Sequence, residues 1–260
     1  MKVITKLLIR RAKKVFIEEQ DREITIMPQK IYFIEDTSKD YHCSDGVFGK
    51  KDLEKKNVLI KSNTGKEFYI LNADFMDSYK GIRKSAQTIP LKDLGYVIAE
   101  TGIDNNSVVV DAGSGSGGSA CLIAKYTRKV YTYDINDNNL EQTKKNVEYF
   151  GLKNVVVKKQ DVYKTISNKN VDMILLDLPE PWNALFNVFK ALKPGGYLVA
   201  YCPQITQTAQ FTNKALELNF LHIKTVEVIE RDWKIDGQIV RPRSLSNIHS
   251  GFISIMRKLV

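Results

Sequence analysis

An α/β fold is predicted by three features of the sequence: a mostly parallel sheet with an antiparallel C-terminal strand, preceded by a small β-rich domain. Between Val108 and Tyr201, short β-branched runs alternate with segments long enough for helices, the pattern of βαβ units with helices on both faces of one sheet. The first run, Val108-Val109-Val110, ends on Asp111 and a glycine-rich turn, Gly113-Ser114-Gly115-Ser116-Gly117-Gly118, where a helix begins. Ahead of Lys80 the apolar runs are too short for helices and are separated by turn residues. The expected division is a β-rich domain over 1–80 and the sheet domain over 81–260.

The opening, Met1 to Lys14, is basic and amphipathic, with no apolar stretch leading to a small-residue cleavage site, so a signal peptide is not expected and a cytoplasmic protein is. From Val15 to about Lys80 the short apolar runs are Ile24-Thr25-Ile26, Ile31 to Ile34, Val58 to Ile60 and Phe68 to Leu71. Lys50, Lys51, Lys55, Lys56, Lys61 and Lys66 cluster in the turns between them, either as a solvated face or as a phosphate-contacting surface. Lys80 to Gln87 reads as a linker bordering a ligand cleft. Lys92 to Glu100 has helical spacing and stops at Gly102. Beyond the glycine turn, helices are expected over Ala120 to Tyr126, Asn138 to Phe150 and about Ala184 to Leu192. Strands are expected at Val155 to Val157, Val171 to Leu176 and Tyr197 to Tyr201. Two last runs, Ile223 to Glu230 and Gly251 to Arg257, have no helix-sized apolar repeat between them and should pair antiparallel at the sheet edge.

The glycine turn carries the first chemical information. A strand that turns sharply into a helix lets a ligand approach bare backbone, and amides at a helix start attract negative charge. Asp134 ends the run Val130 to Tyr133 about 20 residues further on, where an acid binding ribose hydroxyls belongs. NAD and S-adenosylmethionine both contain adenosine, and this pair of features fits either. Asp177 closes the fourth strand of the series, next to the glycine turn, and Pro179 and Pro181 restrict the backbone on both sides of Glu180. The formal charge of +9 favours a polyanionic partner. Cys43, Cys121 and Cys202 lack metal-ligand spacing and read as reduced structural thiols. No run approaches membrane-spanning length, so no membrane partner is expected.

Taken together, Asp111-Ala-Gly-Ser-Gly-Ser-Gly, Asp134, Gln160-Asp161-Val162, Asp177-Leu-Pro-Glu-Pro-Trp and Leu192-Lys-Pro-Gly-Gly resemble the Rossmann-like class I S-adenosylmethionine-dependent methyltransferases. More narrowly, the chain resembles the family that makes N1-methyladenosine in the T-loop of tRNA. Gln87 to Asp93, Tyr201 to Gln207, Glu230-Arg231-Asp232-Trp233, Arg241-Pro242-Arg243 and His249 to Ile253 extend that likeness over roughly residues 40 to 260. Pro90-Leu91 stands where an aromatic-proline pair is common, and Asn139 where an arginine often follows the ribose acid.

The resemblance implies S-adenosylmethionine as cofactor. Gly113, Gly115, Ser116, Gly117 and Gly118 would hold its methionine end, Asp134 with Ile135 its ribose, and Asp161 with Val162 its adenine edge, with Gln87 and Ile89 also on the cofactor side. It implies Asp177 as the catalytic carboxylate, Trp182 and Tyr201 as walls for an extruded adenosine, and Arg241, Arg243 and His249 as tRNA-binding residues. It further implies methylation of adenosine 58, with neighbouring position 57 left open, and a homotetramer. Two other readings stand beside it: a methyltransferase acting on a small molecule or protein, and a non-catalytic tRNA-binding subunit.

Overall fold

The computed structural model describes residues 3–237, 239–243 and 249–260. The chain divides into two compact units, Met1–Ile82 and Arg83–Val260.

The first unit contains β1 (Lys6–Arg10), β2 (Lys13–Ile17), β3 (Arg22–Met27), β4 (Lys30–Ile34), β5 (Tyr41–Cys43), β6 (Gly46–Phe48), α1 (Lys50–Leu53), β7 (Val58–Lys61), β8 (Glu67–Asn72) and α2 (Phe75–Lys80). Strands β4, β1, β8 and β7 form an antiparallel sheet in that order, while β2–β3 and β5–β6 are separate hairpins. Leu8, Ile34, Phe48, Leu53, Ile60, Phe68 and Ile70 make its core.

Strand β1 corrects the sequence reading, which took Met1 to Lys14 only as a basic opening: it is an interior strand of this sheet. Its cations hide the pattern because both are buried and partnered, as a buried charge has to be. Lys6 Nζ donates to the Lys55 carbonyl at 2.9 Å and to Asn72 Oδ1 at 2.7 Å, and Arg10 donates to Asp45 Oδ1 at 2.7 Å. Burial alone would raise the pKa of Asp45. Hydrogen bonds from Lys66, Tyr32, Arg10 and Lys30 outweigh that effect and hold the carboxyl well below the usual carboxylate range. Of the turn lysines, Lys66 therefore serves this cluster, Lys55 pairs with Asp52 and Lys61 with Glu67.

The second unit contains α3 (Leu91–Thr101), β9 (Val108–Ala112), α4 (Gly118–Ile123), β10 (Lys129–Asp134), α5 (Asp137–Tyr149), β11 (Val155–Lys159), β12 (Val171–Leu176), α6 (Leu185–Ala191), β13 (Leu192–Cys202), α7 (Ile205–Leu216), β14 (Phe220–Val226), β15 (Trp233–Asp236), β16 (Ile239–Pro242) and β17 (Phe252–Lys258). One seven-stranded sheet has the order β11-β10-β9-β12-β13-β17-β14. The first five strands are parallel. β17 is antiparallel to β13, and β14 to β17. The core threads through Val110, Ala112, Ile174, Leu176, Leu198 and Ala200.

Several elements depart from the expected bounds. β13 begins at Leu192 and takes in Lys193-Pro194-Gly195-Gly196, with a register shift opposite Val171 and Met173. α4 ends at Ile123. β14 spans Phe220–Val226, so 227–230 lie outside it. Helix α7 and the β15–β16 hairpin were not expected. In α7 the buried positions are Thr208, Phe211 and Ala215, and a polar residue in that seam masks the helical period. No helix among the described residues is long and apolar enough to cross a membrane.

Candidate active site

Strand order reverses between β9 and β12, and in an open parallel sheet the crevice at the carboxyl ends of such strands is where ligands bind. A cavity of about 540 Å³ lies there. Gly113 and Gly115 from the turn after β9, Asp134 and Ile135 after β10, Asp161 and Val162 after β11, Asp177 after β12, and Gln87 ahead of α3 all line it.

The glycine turn is shaped by contacts that exclude a Cβ. At Gly113, with φ +95°, a Cβ would lie 2.1 Å from the Asp177 carbonyl oxygen. At Gly117, with φ +77°, it would lie 2.8 Å from Thr143 Cγ2. Asp134 ties the turn to β10: its Oδ2 accepts from the Gly115 amide at 3.0 Å, Ser114 Oγ at 3.2 Å and Asn139 Nδ2 at 3.1 Å. Asn139 thus orients the acid from one turn into α5. Ser116 is fully buried, away from the cavity lining, and acts as a clasp. Its Oγ accepts from the Ser85 and Ala86 amides at 2.8 and 3.0 Å and donates to the Ala86 carbonyl at 2.9 Å, which brings Ala86 and Gln87 to the cleft. Ile89 is buried, and neither it, Gly117 nor Gly118 is part of the cavity wall.

Two desolvated carboxyls stand beside this turn, Asp111 fully buried and Asp177 half-buried at the cavity wall. Asp177 takes no hydrogen bond on its side chain from any described residue, and burial pushes its pKa up to about 6. Asp111 is raised to about 7 by burial, with smaller contributions from the charges of Asp177 and Asp134. Thr132 donates to its Oδ2 at 2.6 Å, while Oδ1 has no partner. A carboxylate that is desolvated and uncompensated gains strongly from any donor or positive charge brought to it.

The residues expected to hold the acceptor are more dispersed. Trp182 packs against the core with Lys214 Nζ 5.8 Å from its ring centroid. Tyr201 is buried, its hydroxyl donating to Asp93 at 3.4 Å. Neither lines the cavity; Tyr163, Leu178, Pro179, Pro203 and Gln207 do. The sequence reading had Leu178 and Pro179 in the loop after the fourth strand and Pro203 and Gln207 in the Tyr201 to Gln207 element, but made none of the five a site residue. Gln207 Nε2 donates to the Pro179 carbonyl at 3.0 Å, and its Oε1 has no partner among the described residues. Arg241 and Arg243 lie in and beside the exposed β15–β16 hairpin, outside the cavity wall. His249 sits between Glu227 Oε1 at 2.5 Å and the Pro203 carbonyl at 3.1 Å, and both raise its pKa, Glu227 the more.

The sheet order with its antiparallel β17, together with a glycine turn and an acid after the second strand, defines a class I methyltransferase fold. The model of the family described as tRNA methyltransferase complex GCD14 subunit matches residues 81–251, and the chain belongs to that family. It is 34% identical to the tRNA (adenine(57)-N(1)/adenine(58)-N(1))-methyltransferase TrmI of Methanocaldococcus jannaschii, over 88% of this chain and 91% of that one. Two solved structures share the fold. The SAM-dependent O-methyltransferase of Thermotoga maritima has a TM-score of 0.81 at 23% identity, covering 100% of this chain and 95% of its own. The tRNA (m1A58) methyltransferase TrmI of Aquifex aeolicus has a TM-score of 0.77 at 21% identity, covering 100% and 99%.

Proposed function

We propose that this chain uses S-adenosylmethionine to methylate N1 of adenosine 58 in the T-loop of tRNA, with its neighbour 57 left open as a second target; the name of its archaeal relative gives both positions for that protein. The observation that carries the reading is the half-buried Asp177 carboxyl, which has no hydrogen-bond partner among the described residues and lines the cavity with the glycine turn at the strand-order reversal. When bound, S-adenosylmethionine would supply an electrophilic methyl group: the N1–CH3 bond would form as the CH3–S bond breaks in line, the sulfonium leaving as a neutral thioether and its charge passing to the purine. A cradle with no room for a Cβ at Gly113, bordered by Asp134 and Asp161, fits that group: backbone for its methionine end, Asp134 for its ribose hydroxyls and Asp161 with Val162 for its adenine edge.

Asp177 then acts on the acceptor. Alkylation at N1 places positive charge on the purine and makes its exocyclic amine a stronger donor, so a desolvated carboxylate accepting from that amine stabilises the transition state more than the ground state. The base has to leave its stack to reach a carboxylate at the sheet's end. Arg241, Arg243, His249 and the lysine-bearing first unit are the surfaces we assign to the tRNA. A homotetramer is the assembly expected from the family likeness, supported by the exposed Trp233, Ile235 and Val240 on the β15–β16 hairpin, and light scattering tests it.

The decisive experiment digests tRNA after incubation with enzyme and donor and locates the modified base by mass spectrometry. N1-methyladenosine at 58 with wild type, and its loss with Asp177→Asn at unchanged donor affinity, is the expected result. Modification only outside positions 57 and 58, or full turnover by the variant, refutes it.

A further inference from the structure

A second buried charge cluster lies in the same unit, away from the cavity wall. The Asp93 side chain is fully buried and that of Lys92 is 11% exposed, with Lys92 Nζ 2.9 Å from Asp93 Oδ1. Desolvating two charges costs as much as their attraction returns, so such a pair is poorly explained by stability alone. Its geometry is that of a tether. The Lys92 ammonium directs its three donors to Asp93, to the Val228 carbonyl at 2.5 Å and to Ser250 Oγ at 2.6 Å. Asp93 Oδ2 accepts from Ser250 Oγ at 2.7 Å and from the Tyr201 hydroxyl at 3.4 Å. Segments more than a hundred positions apart in sequence meet here: the start of α3, the end of β13, the run after β14 and the turn before β17.

Two of those segments continue to the cleft. Tyr201 follows Ala200, which pairs with Leu176, and is still held in β13 by its pairing with Ile253, one residue beyond the level at which β12 gives way to Asp177. Asp177's charge is felt at both the Tyr201 hydroxyl and the Cys202 thiol. Pro203 and Gln207, just beyond, line the cavity. The turn before β17 closes over this strand end: His249 holds the Pro203 carbonyl, and Gly251 lies so close to Tyr201 that a Cβ would be 2.5 Å from its Cζ. Among the described residues, no hydrogen bond or ion pair joins the donor-side residues Gly113, Asp134 and Asp161 to Lys92, Asp93 or Ser250.

We propose that Lys92 is a positioning residue: paired with Asp93, it fastens 227–228 and 249–251 over Tyr201 and so holds the acceptor-side wall, Pro203 and Gln207, in register with Asp177. The assignment rests on the reading of Asp177 as the methyl-transfer carboxylate. It separates the two substrates, because loosening the tether disturbs the wall the purine meets and leaves the donor's cradle intact.

Lys92→Met alone strands a buried carboxylate and invites unfolding, so the test uses Lys92→Met/Asp93→Asn, which removes both charges, and Ser250→Ala, which cuts only the bridge. Each is assayed for donor affinity by calorimetry, for kcat and KM with tRNA, and for hydrogen exchange over 201–207 and 249–251. With a wall displaced by up to ~1 Å, kcat/KM for tRNA should fall on the order of 10- to 100-fold in the double variant, and less in Ser250→Ala, with donor affinity unchanged. Exchange in the two segments should rise about tenfold. A folded double variant with wild-type kinetics and exchange overturns the proposal, as does a loss of donor affinity equal to the loss of turnover. If wild type leaves tRNA unmodified, the functional reading fails, and the exchange arm alone decides the tether.

Discussion

Replacing Gly113 by alanine should disable the enzyme far more than the same change at Gly115, two residues away. An added Cβ at Gly113 would lie 2.1 Å from the carbonyl oxygen of Asp177, whereas carbon and oxygen need ~3.3 Å, so more than about 1 Å of separation has to be created. Neither side yields cheaply. The Gly113 amide is bonded to the Tyr133 carbonyl at 3.0 Å and the Asp177 amide to the Ala112 carbonyl at 2.9 Å, so relaxation breaks one of these or shifts Asp177. Left-handed backbone adds about 1–2 kcal/mol for a residue with a Cβ. At Gly115, with φ +49°, the nearest atom to an added Cβ is Ala86 Cβ at 3.5 Å, an ordinary contact, and only the backbone cost applies. Gly115→Ala is therefore expected to lose about 1 kcal/mol, roughly fivefold, in donor binding. Gly113→Ala should lose on the order of 100-fold in turnover through displacement of Asp177. Transfer of a labelled methyl group to tRNA, with calorimetry for the donor, measures both. Equal losses in the two variants would refute the idea that this turn is wedged against the catalytic strand end.

Three further outcomes follow from the buried acids. If Asp177 acts as a carboxylate, as proposed, then with its pKa lifted by desolvation to about 6 turnover should climb through about pH 6 and level off above it, a limb absent from the residual activity of Asp177→Asn. Asp111, raised to about 7, binds a proton more tightly folded than unfolded, so it lowers stability increasingly as pH rises from its unfolded value near 4 to about 7. Asp111→Asn should accordingly raise the unfolding temperature, with a gain that grows over that window and is flat beyond it; a gain independent of pH would contradict the assignment. Asp45 is the opposite case. Its lowered pKa contributes stability that is present above about pH 4 and lost as pH falls through the folded value. Asp45→Asn, which strands Arg10 and Lys66, should destabilise the first unit by about 3–5 kcal/mol, read by limited proteolysis or urea unfolding.

The family and the strand-end loops that line the cleft were readable from residue order because they lie on local features: a β-branched strand, its glycine turn, and acids ending successive strands. Gly113, Asp134, Asp161 and Asp177 come from four separate loops, yet each is placed by its own strand. What was not readable depends on contacts distant in sequence. Lys6 and Arg10 look like a charged opening until Asp45 and Asn72 are seen to satisfy them. Thr208 conceals α7. Tyr201 is expected, from the family likeness, as a wall for the extruded adenosine. Gly251 and Asp93, 50 residues after it and 108 before it, cover it instead.

The four aspartates at the ends of neighbouring strands, Asp111, Asp134, Asp161 and Asp177, have a consequence for what the crevice admits. A molecule carrying +9 overall draws polyanions to its surface, yet this end of the sheet presents the reverse polarity in a desolvated setting. Acidic groups there favour a cationic or neutral ligand over a phosphodiester, so the exterior charge that draws a polyanion and the crevice that would receive a sulfonium and a neutral base differ in sign by construction of the sheet itself.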